Sequence, residues 1–361
     1  MEKENHDLRL VSKSSITFSA GDSATHADRN PRLDFVKGIL VFLMLMYHTG
    51  ALFIVNHEIQ LFFNDICLSF VSGSWIFLCG AMVTYHYGPS FHENRVAVSK
   101  RLCGRSLKTL AIFVLSNVLI NGFKVIPRDH VLYDFDTIIR IALYGDGSIT
   151  SFEILLGIFY ILLIGPLFLQ LRLLGPVLAL AAIAWGMQTS SMNVPMPSNW
   201  WQILCGLGGM ITGYGLTFNL SGQLLYLRFR KALAFVAALM GITAYYLLIT
   251  QYGYTKSHIH VYLLGVVCIL SAIYISHELF SFNMIVDQKV RLLGRYSLFC
   301  YIGQMGILWS LWFLFSALSL TYSYMVMLTI AMIALFSLVL LLDYLVRKYA
   351  SVTRLYNYAF R

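Results

Sequence analysis

The stretch Tyr324–Val346, YMVMLTIAMIALFSLVLLLDYLV, contains a single charged residue, Asp343. A helix needs roughly 20 predominantly apolar residues to cross the hydrocarbon core of a bilayer. This stretch is long enough and apolar enough to do so, and comparable stretches recur along the chain. The sequence therefore predicts a protein that crosses a membrane by helices.

The overall composition agrees with a membrane location. Of the 361 residues, 58% are hydrophobic and 12% are charged, whereas a typical soluble domain has about 25% charged residues. This composition excludes a water-soluble enzyme. The six cysteines are too sparse for a secreted disulfide scaffold. The net charge of +9 is compatible with nucleic acid or with a membrane, and the positions of the basic residues decide between them.

The apolar segments predict an all-α, polytopic integral membrane protein with a ten-helix transmembrane bundle over residues 35–346. Residues 1–34 are polar and are predicted to form a disordered cytoplasmic tail. Residues 347–361 are predicted to form a short basic cytoplasmic tail. The ten segments are Phe35–Val55, Leu68–Tyr87, Leu107–Phe123, Phe152–Leu171, Leu173–Gln188, Trp200–Phe218, Ala232–Thr250, Ile259–His277, Ser297–Leu318 and Tyr324–Val346.

The basic residues predict the orientation of this bundle. With the N-terminus in the cytoplasm, all but four of the 26 Lys and Arg residues fall in cytoplasmic regions or their flanks. The four exceptions are Lys124, Arg128, Arg140 and Lys256. Because short loops rich in Lys and Arg stay in the cytoplasm, both termini are predicted to be cytoplasmic. The positive charge is thus explained by the orientation of the protein in the lipid bilayer, and no nucleic acid partner is expected.

The first predicted helix concentrates ionisable residues, namely Asp34, Lys37 and His48. At 100° per residue, Lys37 and His48 lie within about 20° of one face and about 16 Å apart, and Asp34 is offset from His48 by about 40°. Ionisable groups in a bilayer are candidates for function, and a histidine suits proton abstraction from a hydroxyl. The alternative is a structural histidine that is hydrogen-bonded to a neighbouring helix.

A second set of candidates is cationic. Arg101, Arg105 and Lys108 follow an i, i+4, i+7 spacing and share one helix face. Such a face suits a pyrophosphate and a ribose phosphate, although cations near lipid headgroups also set topology. Arg295 opens a later helix at the same predicted side, near enough to join a phosphate site.

Glu153 lies near the outer start of the fourth predicted helix. Its carboxylate could polarise a substrate hydroxyl or orient His48, or it could be an ordinary interfacial carboxylate. No pair of cysteines has the spacing of zinc ligands, so no metal is expected.

Several short motifs in order along the chain resemble those of a known family. They are Arg32-Leu-Asp34-Phe-Val-Lys37-Gly38 followed by His48, Ile76-Phe-Leu-Cys79-Gly80, Arg105-Ser-Leu-Lys108, Phe159-Tyr160 with Pro166, Asn199-Trp-Trp-Gln202 with Gly206, and Leu293-Gly294-Arg295-Tyr-Ser297-Leu. Together they resemble the membrane-bound acyltransferase family 3, and the last two resemble its OpgC-like branch, which is associated with periplasmic glucan modification. Lys37 and Lys108 stand where the family has arginines, which keeps the charge but loses the bidentate fork.

The resemblance implies an acyl-CoA-dependent acyltransferase of a bacterial inner membrane. It would move an acyl group, acetyl or succinyl, from cytoplasmic acyl-CoA to a hydroxyl of an extracytoplasmic or cell-surface carbohydrate, with no permanently bound cofactor. His48 would be the catalytic base or would carry the acyl group, with Asp34 and Glu153 as further catalytic residues. The residues that would bind the donor are Lys37, Arg101, Arg105, Lys108 and Arg295.

Two other classes of function remain open from the sequence. A transporter or flippase for a glycan or an anionic small molecule would also have many helices with charges inside the membrane. It would need broken helices, and Gly165-Pro166 is the clearest interruption. A non-catalytic membrane sensor or assembly subunit is the third possibility. The oligomeric state is not predicted.

Overall fold

The computed structural model describes residues 30–54, 56–63, 68–125, 152–191, 200–217, 228–252, 259–280, 282–318 and 323–360. Every regular element in these ranges is a helix. The helices are α1 (Pro31–Phe53), α2 (His57–Leu61), α3 (Phe70–Phe91), α4 (Arg95–Val125), α5 (Glu153–Gln170), α6 (Leu174–Ser191), α7 (Trp200–Thr217), α8 (Arg228–Tyr252), α9 (Ile259–Leu279), α10 (Met284–Arg295), α11 (Ser297–Ala317), α12 (Tyr324–Lys348) and α13 (Ala350–Phe360).

The predicted all-helical, multi-pass class is confirmed. Each of the ten predicted segments overlaps one helix of the described chain. Six helices are long and apolar enough to cross a membrane, namely Pro31–Phe53, Glu153–Gln170, Lys231–Gln251, His260–Leu279, Ser297–Ala317 and Tyr324–Lys348. The count of ten spans and the cytoplasmic position of both termini stay predictions. The predicted tail before residue 30 lies outside the described residues.

The first helix begins at Pro31, four residues before the predicted start of the span. The side chain of Asn30 caps it by accepting hydrogen bonds from the backbone N–H groups of Arg32 (3.0 Å) and Leu33 (3.4 Å). Proline at the first helical position lacks an N–H that would have no partner there. The negative charge of Asp34 in the first turn interacts favourably with the helix dipole. The sequence around Asp34 and Lys37 is therefore helical from its first residue.

Two pairs of helices approach closely through glycines. A Cβ atom at Gly294 would overlap the backbone carbonyl of Asp34, and one at Gly38 would overlap the carbonyl of Val290, so α10 lies directly against the start of α1. Likewise, a Cβ at Gly209 would overlap the carbonyl of Phe77, which brings α7 against α3. Small residues allow such contacts between membrane helices. The glycines near residue 206 are thus packing residues.

The buried side chains form two clusters that meet at α1. The larger cluster includes Leu40 and Met44 of α1 together with residues of α3, α4, α5, α7 and α9. The smaller cluster includes Val41 and Leu45 of α1 with residues of α11 and α12. Because α1 faces both clusters, its polar residues lie in the interior of the bundle. The end of the bundle where α1 begins also holds Lys37, Arg105, Arg295 and Arg347, and it is called the basic end below.

Candidate functional site

A cavity of about 460 Å³ lies among α1, α3, α4, α5 and α11. Its charged lining residues are Lys37, Arg105 and Lys108, and no carboxylate is among the described residues that line it. Three predicted donor-binding residues from two distant parts of the sequence are thus brought together at one mouth. The remaining lining residues are Trp75, Leu78, Cys79, Met82, Val83, His86, Tyr87, Thr109, Ile112, Ile154, Leu155, Ile158, Leu162, Ser297, Leu298 and Tyr301.

The cations at the mouth of this cavity are contacted by aromatic side chains. The guanidinium carbon of Arg105 lies 5.8 Å from the centre of the Tyr87 ring. The ammonium of Lys108 lies 4.3 Å from the centre of the Tyr358 ring, and it donates a hydrogen bond of 2.8 Å to the Tyr358 carbonyl. Helix α13 therefore reaches across the basic end to the mouth of the cavity. Cation–π contacts of this kind hold a cation against an aromatic ring with about 0.5–1 kcal/mol at exposed sites.

The length of the cavity follows from two helices that run in opposite directions. Lys37 and His48 are eleven residues apart on α1, and His86 and Trp75 are eleven residues apart on α3. Each pair spans about 16 Å, which is about half of the hydrocarbon core. His86 lies close enough to Lys37 for the charge of the ammonium to act on it. Apolar side chains of α4 and α5 line the stretch between the two ends.

The inner end of the cavity is closed by Tyr301, which is 6% exposed. The Tyr301 ring lies 6.3 Å from the ring of His48 and 5.6 Å from that of Phe152. The charge of Glu153 also acts on the Tyr301 hydroxyl. Tyr301 thus lines the cavity and lies close to two predicted catalytic residues, His48 and Glu153. Neither of these two residues lines the cavity itself.

Several buried polar atoms of the described residues have no hydrogen-bond partner, and some of them belong to residues at or beside this end of the cavity. Among the described residues, the Nε2 atom of His48, the Nε1 atom of Trp75 and both side-chain amide atoms of Gln304 are buried and have no hydrogen-bond partner. Gln304 lies one helical turn beyond Tyr301 and shares its face of α11. Buried polar groups are nearly always hydrogen-bonded, so such exceptions in a native structure need an explanation. These atoms suit the polar groups of a substrate.

Asp34 and Lys37 form an ion pair, with 3.7 Å between Nζ and Oδ1. Asp34 is 6% exposed. Lys37 lines the first cavity, whereas Asp34 lines a second cavity of about 900 Å³ on the other side of α1. The predicted polar stripe of Asp34, Lys37 and His48 is therefore divided between two compartments, and Asp34 acts on the first only through Lys37.

Two predicted donor-binding cations lie away from the first cavity. Arg295 lines the second cavity, where its guanidinium lies 3.7 Å from the carboxylate of Asp343. Arg101 is exposed and lines neither cavity. The helical face that Arg101 shares with Arg105 and Lys108 is real, but only its last two members reach the cavity.

Three residues of the site were not singled out from the sequence. His86, Trp75 and Tyr301 line the first cavity at its two ends. The spacing of eleven residues between Trp75 and His86, which matches that between Lys37 and His48, is a signal that could have indicated the α3 pair. Tyr301 lies in an apolar helix rich in aromatic residues, and no pattern distinguishes it there.

Outside the predicted spans, Tyr296 connects α10 to α11 at the basic end. Its hydroxyl donates a hydrogen bond of 2.8 Å to Asp343. Burial, and then this hydrogen bond to a carboxylate, raise the pKa of Tyr296 well above its ordinary value. The tyrosine therefore stays protonated and fixes the carboxylate of Asp343 at the wall of the second cavity.

The fold and the first cavity define a multi-pass membrane protein in which a cavity extends from a cationic mouth to Tyr301, beside a buried histidine. A family described as heparan-alpha-glucosaminide N-acetyltransferase, catalytic, matches residues 29–214. This match covers more than half of the 361 residues, and the chain belongs to that family of membrane acetyltransferases. The curated proteins and the solved structures give no significant match.

Family membership confirms the expectation of a membrane acyltransferase and favours it over a transporter. Acetyltransferases of this type use acetyl-CoA as the donor. The matched range contains every predicted site residue except Arg295. It also ends before α8, so the helices that form most of the second cavity lie outside it.

Proposed function

We propose that this protein transfers an acetyl or succinyl group from cytoplasmic acyl-CoA to a carbohydrate on the opposite side of the membrane. The observation that carries the proposal is the continuity of the first cavity, from Lys37, Arg105 and Lys108 at its mouth to Tyr301 beside His48 at its inner end. The groups of an acyl-CoA follow the same order along its length. Its phosphates, at one end, would meet the cations, and its thioester, at the other end, would lie near His48.

The cationic mouth would bind the phosphates of the donor. Arginine offers planar, bidentate hydrogen bonding to phosphate, and lysine contributes a point charge. Because the described lining contains no carboxylate, the three cations have a net attraction for an anionic ligand. The apolar walls of α4 and α5 would accommodate the uncharged arm of the donor and exclude water around the thioester.

The buried Nε2 atom of His48 would perform the proton transfer. In direct transfer, His48 removes the proton of the acceptor, and the acceptor atom attacks the thioester carbonyl. The C–S bond breaks, and the imidazolium returns its proton to the departing thiolate. Alternatively, Nε2 attacks the thioester first, and an acyl-imidazole passes the group to the acceptor. In both cases the Tyr301 hydroxyl, at the inner end of the cavity beside His48, would be the protein group available to hydrogen-bond the reacting groups.

Two chemical groups are candidates for the acceptor, a hydroxyl and an amino group. The motif resemblance supports a hydroxyl group of a glucan, and the later motifs support the OpgC-like branch as the subgroup of this chain. The match to the family named for heparan-alpha-glucosaminide N-acetyltransferase supports an amino group of an amino sugar instead. A neutral histidine serves either chemistry, since both acceptors lose one proton during acylation.

The same proposal includes the setting of the reaction. The excess of Lys and Arg at the basic end supports a cytoplasmic position for this end and for both termini. A ten-helix bundle in a bacterial inner membrane would then have its donor mouth in the cytoplasm. His48, about 16 Å further along α1, would be near the bilayer midplane, where an acceptor from the outer side can meet the acyl group.

The test uses the full chain in proteoliposomes with isotopically labelled acetyl-CoA or succinyl-CoA. A glucan oligosaccharide and a glucosamine-containing oligosaccharide serve as separate acceptors, and mass spectrometry measures the label on each sugar. We expect label on one acceptor together with stoichiometric release of CoA, and none with protein-free liposomes. Uptake of an unmodified sugar, without CoA release from either donor, would instead establish a transporter.

A further inference from the structure

The second cavity is the larger of the two and lies at the basic end of the bundle. Its volume of about 900 Å³ is enclosed by the start of α1 and by α10, α12 and α13. Its described lining shares no residue with that of the first cavity. The Asp34–Lys37 ion pair lies between the two. This cavity therefore needs its own explanation, beyond the proposed acyl transfer.

Cations predominate on its walls. The basic lining residues are Lys289, Arg291, Arg295 and Arg347, and the acidic ones are Asp34 and Asp343. One carboxylate, Asp343, contacts two guanidinium groups, at 2.8 Å from Arg347 and at 3.7 Å from Arg295. Asp34 in turn is paired with Lys37, whose own side chain lines the other cavity. The lining thus retains an excess of positive charge.

Two of these guanidinium groups, those of Arg347 and Arg291, have N–H donors beyond the ones used in their ion pairs. A guanidinium carries five N–H donors, and the contact with Asp343 uses few of those on Arg347. Arg291 pairs with Asp287 through one terminal nitrogen. Its Nε atom is buried and has no hydrogen-bond partner among the described residues. Fixed guanidinium groups with spare N–H donors are the groups that proteins use to bind phosphate.

The remaining wall comes from α13, which presents Thr353, Tyr356 and Asn357. The Tyr356 ring packs edge-on against that of Tyr296, at 5.2 Å between centroids. Asn357 adds an amide that can donate and accept hydrogen bonds. A ligand here would meet charged donors on one side and neutral polar groups on the other, as a phosphate ester requires.

We propose that the second cavity is a separate binding site for a phosphate-bearing ligand. Two sources of that chemistry reach this place. A lipid headgroup is one, because the adjacent first turn of α10 exposes Met284 (69%), Ile285 (63%) and Val286 (53%), and apolar faces of short amphipathic helices lie in the headgroup region of bilayers. A soluble phosphate compound from the aqueous side is the other. The recognition chemistry of the cavity is the same for both.

The test measures binding to the full-length purified protein without using acyl transfer. In one arm, thermal unfolding is followed in phosphatidylcholine nanodiscs with and without phosphatidic acid. In the other arm, inorganic pyrophosphate is titrated in neutral detergent. A ligand that binds only the folded state raises the Tm in proportion to its occupancy. We expect a rise in one or both arms, and the arm that responds identifies the source.

The variants assign this response to the second cavity. The double substitution Lys289→Gln with Arg347→Gln should raise the half-saturating ligand concentration at least tenfold. The matched control is Lys348→Gln, next to Arg347, because Lys348 contacts Tyr344 and does not line the cavity. Arg105→Gln, in the first cavity, removes the part of the pyrophosphate response that comes from that cavity and should leave the part that depends on Lys289 and Arg347.

Three results would overturn the proposal. The first is the absence of a response in both arms, and the second is a response of Arg105→Gln that persists when Lys289→Gln and Arg347→Gln are added to it. The third concerns acetyl-CoA as an additional soluble probe. If acetyl-CoA stabilises the protein and this effect is lost in the double variant but kept in Arg105→Gln, then the second cavity is the donor site itself. That outcome would refute the separate site. It can be distinguished from a failure of the proposed function, in which no acyl group is transferred at all.

Discussion

The two cavities at the basic end differ in how their positive charges are balanced. The described lining of the first has three cations and no carboxylate, whereas that of the second has four cations and two carboxylates. Lys37 has a counter-ion in Asp34, whereas Arg105 and Lys108 are exposed and have no carboxylate beside them in the described lining. An anionic ligand would bring negative charge to these two cations, as a substrate does in each turnover. The second is partly balanced by residues of its own, as expected of a site with a more permanent occupant.

The contrast also has a structural origin in α1. This helix passes between the cavities, so that Lys37 faces one and Asp34 faces the other. The close approach of α10 at Gly294 fixes the position of Asp34. The two compartments are thus coupled through the Asp34–Lys37 ion pair, and changes at α1 or α10 should affect both.

The largest effect is expected from His48→Gln. Glutamine keeps a polar side chain of similar reach but cannot take up and return a proton, and positioned acid–base groups contribute about 10²- to 10⁴-fold to rate. We expect kcat for acyl transfer to fall by about that factor, with donor binding retained. The measurement is single-turnover transfer in proteoliposomes. The control is His92→Gln, an exposed histidine outside both cavities, and equal rates for the two variants would refute the assignment of His48.

The next effect tests the coupling through α1. In Gly294→Ala, the added methyl group meets the carbonyl of Asp34, and overpacking of this kind costs typically about 1–3 kcal/mol. We expect a lower Tm and weaker ligand binding in both cavities. Gly104→Ala on α4 is the matched control, since a Cβ there meets nothing within 4 Å. It should raise the stability slightly, because alanine is the better helix former. A Gly294→Ala protein as stable as the wild type would show that α10 does not fix α1.

A smaller effect is expected when two arginines of α4 are compared, both of which the sequence predicts to bind the donor. Arg105 lines the first cavity and Arg101 does not. A hydrogen bond to a charged group contributes about 1.5–3 kcal/mol. Arg105→Gln should therefore raise the KM for acyl-CoA by about tenfold or more, with little change in kcat. Arg101→Gln should change it less than twofold. Steady-state kinetics with varied donor concentration distinguish the two, and equal increases would indicate that the whole helix face binds the donor.

These arginines illustrate what the sequence could predict. Apolar segments and helix periodicity were sufficient to predict the helical class, the approximate helix bounds and the face shared by Arg101, Arg105 and Lys108. They could not predict which members of that face reach a cavity, because this depends on how α4 packs against α3 and α5. In the same way, Tyr301 comes to the inner end only through the packing of α11 against α1. Arg295, which the sequence assigned to the donor, lies in the other cavity because α10 packs on the opposite side of α1.

The smallest effect concerns the contact between α13 and the mouth of the first cavity. The Tyr358 ring covers the ammonium of Lys108 at 4.3 Å, and an exposed cation–π contact contributes about 0.5–1 kcal/mol. A donor phosphate that binds Lys108 competes with this contact. Tyr358→Ala should therefore lower the KM for acyl-CoA by about two- to fivefold. Leu355→Ala, which shortens another exposed side chain of α13, should leave the KM unchanged. A higher KM in Tyr358→Ala would mean that the tyrosine helps to hold Lys108 in place for the donor, and α13 would then belong to the binding site of the first cavity as well as to that of the second.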